Sequence, residues 1–132
     1  MENKEKIKNE KEEQQKIIQL SILVQELEQI EQKINIIEKN IEDLENLNLI
    51  MEEIKISKGK EIMTNLGKNI YIKTEIKDED LLVDLGSGVV VKKTPEETKE
   101  IINTQLKYLK DAKGNMVEDM KKIGEVIESL RD

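Results

Sequence analysis

From Leu20 the apolar residues of this chain return at alternating steps of three and four: Leu20, Leu23, Leu27, Ile30, Ile34, Ile37, Ile41 and Leu44. Glu, Gln and Lys fill the positions between them. A heptad held over four a/d pairs predicts a coiled-coil helix, since an ordinary surface helix spaces its apolar face at 3.6 residues. At Asn48 the pattern slips, and Leu47, Met51 and Ile54 carry the stripe onward. The helix is predicted from about residue 5 to 56, roughly 75 Å long at 1.5 Å per residue. A second stripe, Ile102, Leu106, Leu109, Met116, Met120, Ile123, Ile127 and Leu130, predicts another arm. Lys113 interrupts it, and Gly114 weakens the helix beside it. Its start is marked sharply. Thr94 can cap it, Pro95 suits the first helical position, and Glu97 completes a T-x-x-E capping box.

The two stripes fit each other if the chain reverses between them. Residues whose numbers sum to 150 then face one another: Leu20 with Leu130, Leu23 with Ile127, Leu27 with Ile123, Ile34 with Met116, Leu44 with Leu106. Every a position meets a d position, as an antiparallel coil requires. Three layers are imperfect: Ile37–Lys113, Asn48–Ile102 and Met51–Lys99. Lys113 is expected to lay its stem along Ile37 and hold its ammonium outward. The same register leaves the first nineteen residues or so without a partner, to fray or to extend beyond the coil.

Between the arms the period changes from helical to two. Ile70, Ile72, Thr74 and Ile76 alternate with Tyr71, Lys73 and Glu75, a strand pattern. "EIMTNLG" (61–67) is a further strand before it. After the polar turn "KDED" come Leu81, Leu82, Val83 and Leu85, then Gly86 and Gly88, then Val89, Val90 and Val91. That makes four short strands in two hairpins. A four-stranded sheet of this size has open edges and no second layer to cover it, so other subunits are expected to complete it. The chain is therefore read as one domain, 1–132, in three parts: an arm at 1–57 with a frayed lead at 1–16, a β-hairpin assembly region at 58–93, and a second arm at 94–132.

Composition changes the picture mainly by exclusion. Aromatic residues make up 2% of the 132, too few to fill a globular interior. The net charge of −7 argues against nucleic acid, whose phosphates need a basic surface. The first residues lack the apolar core of a signal peptide, and no apolar run reaches the length of a membrane span. A soluble, cytoplasmic protein is expected. There is no His and no Cys, so the common bases, nucleophiles and transition-metal ligands are missing, and no enzyme activity or cofactor is expected. Asp78–Asp80 reads as a solvated turn, because the spacing of a calcium loop is absent. Gly86-x-Gly88 lacks the third glycine of a dinucleotide fingerprint, which falls at Val91.

The stretch "NLGKNIYIKTEIKDEDLLVDLGSGVVVKKTPEETKEII" (65–102) resembles the centre of the alpha-class prefoldin subunits. "NLG", "YIK", "IKD" and "DLGSGVVVKKTPEE" follow in the family's order, between two heptad arms. Four strands favour the alpha class over the beta class, which is similar with one hairpin. The charged lead, residues 1–16, has no counterpart in the resemblance. The fold it implies is mainly α with β: a long antiparallel two-helix coil joined by two hairpins that assemble into an oligomeric β-barrel platform. The activity it implies is ATP-independent capture of unfolded polypeptides and their delivery to a group II chaperonin. Implied partners are beta-class subunits, four to every two alpha, with no nucleic acid and no membrane. The barrel wall falls on Ile70, Ile72, Ile76, Leu82, Leu85, Val89, Val90 and Val91.

The free ends of the arms carry more apolar groups than one seam can hide. Ile17, Ile18, Ile22 and Val24 stand beside Leu20, and Val126 stands beside Ile123, Ile127 and Leu130. These are the candidate client-binding residues. Two readings outside this one remain open on the residues alone: a structural coiled-coil adaptor, and a prefoldin-like subunit of another assembly.

Overall fold

A computed structural model describes residues 2–132 of the chain. Two helices bracket four strands in the order α1 (Glu2–Ile56), β1 (Glu61–Gly67), β2 (Ile70–Glu75), β3 (Leu81–Asp84), β4 (Val90–Lys93) and α2 (Pro95–Arg131). Of the two forms expected for the charged lead, the structure has the second: α1 is already helical at Glu2 and extends beyond the seam. Its Glu, Lys and Gln residues favour helix, Glu2 and Glu5 oppose the dipole of the first turn, and Lys8, Glu12 and Lys16 stand four apart with alternating sign. Every described side chain before Leu20 is exposed. The seam thus begins where the heptad begins.

The chain divides into two compact units, one joining α1 as far as Lys39 with Lys110–Asp132, the other holding Asn40–Leu109. In the first, Leu20, Leu23, Leu27, Ile30 and Ile37 are half-buried and Ile34 is buried. Opposite them Met116, Met120, Ile123 and Leu130 are half-buried, and Ile127 is buried at 8% exposure. Helix α2 runs through Gly114 without a break. In the second unit the core is Met51, Ile102 and Leu106, with Ile41, Leu44, Ile54 and Leu81 packed against it. Met51, at 1% exposure, is the most deeply buried large side chain. Leu81 lies on β3, so one apolar side chain anchors the second hairpin to the helices. Met51 and Ile54 carry the stripe onward as expected, but it does not leave Asn48 for Leu47. Asn48 is half-buried on the seam, and Leu47 is exposed.

Polar residues on the seam reach across it by one repeated device, which leaves the buried Asn48 Oδ1 without a partner. Asn48 Nδ2 donates to Asn103 Oδ1 at 2.8 Å. Lys55 Nζ pairs with Glu96 Oε1 at 2.9 Å, Lys99 Nζ pairs with Glu52, and Lys113 Nζ pairs with Glu38 Oε1 at 3.2 Å. Each polar residue occupies an a position, and each reaches the residue that follows the d residue facing it. All four pairs sum to 151, one beyond the layer sum of 150. The antiparallel register is thus written in polar contacts as well as in apolar layers.

The strands form two separate antiparallel ribbons, β1–β2 and β3–β4, and not one four-stranded sheet. Residues 76–80, a short polar link carrying three acidic side chains, separate β2 from β3. In the first ribbon Glu61 faces Glu75 and Asn65 faces Tyr71. The register shifts between Asn65 and Gly67, a bulge closed by Asn65 Oδ1 accepting the Gly67 N–H at 2.7 Å. Lys68 and Asn69 then turn the chain with φ of 56° and 62°, the left-handed pair that a two-residue hairpin requires. In the second ribbon Leu81 faces Lys93 and Val83 faces Val91. Ser87 and Gly88 turn it, again at positive φ.

Candidate functional site

The joint into α2 has the capping box expected from its residues. Thr94 Oγ1 accepts the Glu97 N–H at 3.1 Å, and the Thr94 N–H donates back to Glu97 Oε1 at 3.4 Å. The bond from the Thr94 backbone holds the Glu97 carboxyl below its ordinary pKa. At the base of the helices Glu52, Lys55, Glu96 and Lys99 form a chain of alternating charge. The Lys99 ammonium lowers the pKa of Glu52, and the Lys55 ammonium lowers that of Glu96. Glu96 in turn raises that of Lys55. These groups tie the helices together.

Near Asp78 the chemistry is already occupied. Lys92 Nζ lies 2.8 Å from Asp78 Oδ2 and 3.9 Å from Asp80 Oδ2, and the Lys92 ammonium lowers the Asp78 pKa. Among the described residues no group of three or more His, Cys, Asp or Glu could hold a metal ion. No described helix is long and apolar enough to cross a membrane.

Exposed apolar side chains occur singly along the helices, as at Ile36, Leu49, Tyr108 and Val117, and in two groups that bear on function. The first lies on the hairpins. Leu82 is 77% exposed, and Ile70, Ile72, Leu85, Val89 and Val90 are exposed as well. Ile76 and Val91, expected with them, are half-buried. Met63, Leu66 and Tyr71 are exposed on the first hairpin and were missed by the strand pattern, which weighed only the branched aliphatic residues. Between α1 and β1 a groove of about 570 Å³ is lined by Ile50, Ile54, Ile62, Met63 and Ile76, with Glu53 at its rim.

The second group lies where the seam begins, after the charged lead of α1 and near the C-terminal end of α2. Ile17, Ile18, Ile22, Val24 and Val126 are exposed, Ile17 at 65%. Leu20, Ile123 and Leu130 are half-buried in the seam. Ile127 is buried, so the closed coil presents its neighbours and not Ile127 itself. Ile22 and Val126, on opposite helices, flank a groove of about 300 Å³ whose other walls are Gln19, Leu23 and Leu130. The structure brings Ile22, Val126 and Leu130 together at one place. It does not bring Ile17 or Val24 into that groove.

Two long helices with two small hairpins between them define a coiled-coil protein that carries exposed apolar side chains on its hairpins and beside its seam. Comparison with known proteins narrows this class. A sequence model described as prefoldin subunit matches residues 19–132, and the chain belongs to that family. It is 31% identical over 91 residues to prefoldin subunit alpha of Methanosphaera stadtmanae, covering 69% of this chain and 66% of that one. It is 30% identical over 113 residues to prefoldin subunit alpha of Methanobrevibacter smithii, covering 85% and 77%. In fold it is similar to a chain of the filamentous PFD of Methanocaldococcus jannaschii, with a TM-score of 0.73, covering 84% of this chain and 93% of that one at 16% identity. The family match begins at residue 19, so the charged lead lies outside it.

Proposed function

We propose that this chain is the alpha-class subunit of an ATP-independent chaperone that captures unfolded polypeptides and passes them to a group II chaperonin. The observation that carries the reading is the two groups of exposed apolar side chains, one on the hairpins and one where the seam begins, in a chain belonging to the prefoldin subunit family. The exposed strand residues, Leu82 and Val90 foremost, are the surface for joining other subunits into a β-barrel platform, with four beta-class chains to two of this one. The groove beside Ile22 and Val126 and the exposed Ile17, Ile18 and Val24 are the surface for clients. Apolar contacts of this kind contribute about 25 cal/mol per Å² buried. One groove therefore holds a client weakly, and several arms acting on one chain hold it well. The chain works as one domain, in the cytoplasm, without a cofactor or a catalytic step.

The test is protection of several unrelated denatured proteins from aggregation, without nucleotide, by the chain assembled with beta subunits. A variant truncated after Gly124 loses Val126, Ile127 and Leu130 and keeps the hairpins. It is expected to assemble and to protect less well. Equal protection by both forms would remove the tips of this chain from the client surface. Failure of the intact complex on most clients would favour a structural adaptor.

A further inference from the structure

We propose that the polar a positions of the two helices are a pairing code, which joins α1 to α2 and rejects pairing between two copies of the same helix. The proposal stands on the coil itself and does not need the chaperone reading. The structure supplies the rule: a polar a residue reaches the residue after the d residue that faces it. In the observed pairing that reach ends on Asn103, Glu96, Glu52 and Glu38, an amide and three carboxylates.

The same rule can be applied to pairings the chain does not adopt. Two copies of α1 laid antiparallel, with their apolar runs fully overlapped, would put Leu20 opposite Met51 and Ile34 opposite Ile37. Their aliphatic layers would be as good as the native ones. Asn48 would then face Leu23 and reach Val24, and Lys55 would face Lys16 and reach Ile17. Neither finds a polar partner, and Lys55 gains a like charge. Two copies of α2 would put Lys113 opposite Met116, reaching Val117, and Lys99 opposite Leu130, reaching Arg131. In parallel copies a faces a, so Lys55, Lys99 and Lys113 each meet a like charge. Asn48 would meet a second Asn48 and find an amide partner, which leaves Lys55 to reject the parallel α1 pair. Leaving these groups unpaired or beside a like charge costs something even at partly exposed positions. The apolar layers therefore permit like pairing, and the polar ones weigh against it. Where several such coils stand close together, this confines each helix to its own partner.

The chain contains no cysteine, so engineered thiols report without background. Equal amounts of full-length I34C and I37C chains are mixed, unfolded, refolded together and mildly oxidised. In the native sequence, disulfide-linked dimer is expected only at the level of random collision. With Asn48, Lys99 and Lys113 all changed to Leu, the coil is expected to melt higher while the 34–37 dimer rises several-fold. No rise in dimer in that background, with helix content retained by circular dichroism, overturns the code. A second background guards against a variant that does not fold. Ile17→Glu with Val24→Glu leaves the native layers intact and supplies the missing carboxylates to two copies of α1. It too is expected to raise the dimer, and an unchanged yield there counts equally against the proposal.

Discussion

Lys113 shows how a single polar residue is reconciled with an apolar seam. Its Nζ reaches Glu38 at 3.2 Å while the residue stays half-buried on the seam. The outward ammonium was legible from the sequence, because a buried unpaired charge is too costly to keep. Asn48 was not legible in the same way. A polar residue at a seam position reads as a break in the stripe, and its partner Asn103 is 55 residues away. An exposed ion pair contributes only about 0.2–1 kcal/mol, whereas burying a Leu side chain contributes about 1.5–3 kcal/mol. Lys113→Leu is therefore expected to raise the melting temperature by a few degrees, measured by circular dichroism. The opposite outcome is expected at Met51, the centre of the second unit's core. Met51→Ala is expected to cost about 2–5 kcal/mol in chemical denaturation, because buried apolar contacts are lost and the surrounding side chains fill the cavity only in part.

At the scale of elements, the helix start and the register are the exposed claims. Thr94→Ala removes the hydroxyl that accepts the Glu97 N–H, and a lost cap costs about 1 kcal/mol. Cysteines at Ile34 and Met116 are expected to crosslink within one chain, and a best yield four residues away would contradict the sum of 150. The charge chain at the base of the helices makes the coil sensitive to acid. Glu52 and Glu96 have lowered pKa values, so their contribution is present above the ordinary carboxylate range, near pH 4.3, and is lost as pH falls through the lowered values. Lys55, with its pKa raised, loses its share only as pH rises beyond about 10.4. Glu52→Gln is therefore expected to shrink the drop in melting temperature between pH 7 and pH 3. The shrinkage fades in high salt, since all these side chains face water.

For the whole molecule the hairpins are the unfinished part. Each ribbon has only two strands, and a two-stranded ribbon alone is marginal in water. Here Leu81 packs on the helix core, while Ile70, Ile72, Leu82, Leu85, Val89 and Val90 face solvent. Val90→Asp or Ile72→Asp puts a charge among them. Under the proposed function either variant is expected to release free subunits from the complex, seen as a loss of mass by light scattering, with helix content retained. A variant that assembled normally would show that the substituted strand is not a joining surface.

The helices, their antiparallel register and the joint at Thr94–Glu97 follow from the sequence alone. Their signals are periodic or local, and each a/d position carries its own transfer free energy whichever partner it meets. The family, too, was legible, because its ordered motifs occupy one continuous stretch, residues 65–102. Other features needed the folded chain. The four strands could have made one sheet, and only the placed backbone shows two ribbons, because pairing between strands is decided by chain geometry and not by strand propensity. The free ends could have shown any of nine apolar residues, and only packing singles out Ile127 as buried and sets Ile22 beside Val126. The rule that answers each polar seam residue with the residue beyond its facing layer also waited for the structure. It depends on how far an Asn or a Lys side chain reaches across two helices, and spacing along one helix does not contain that distance.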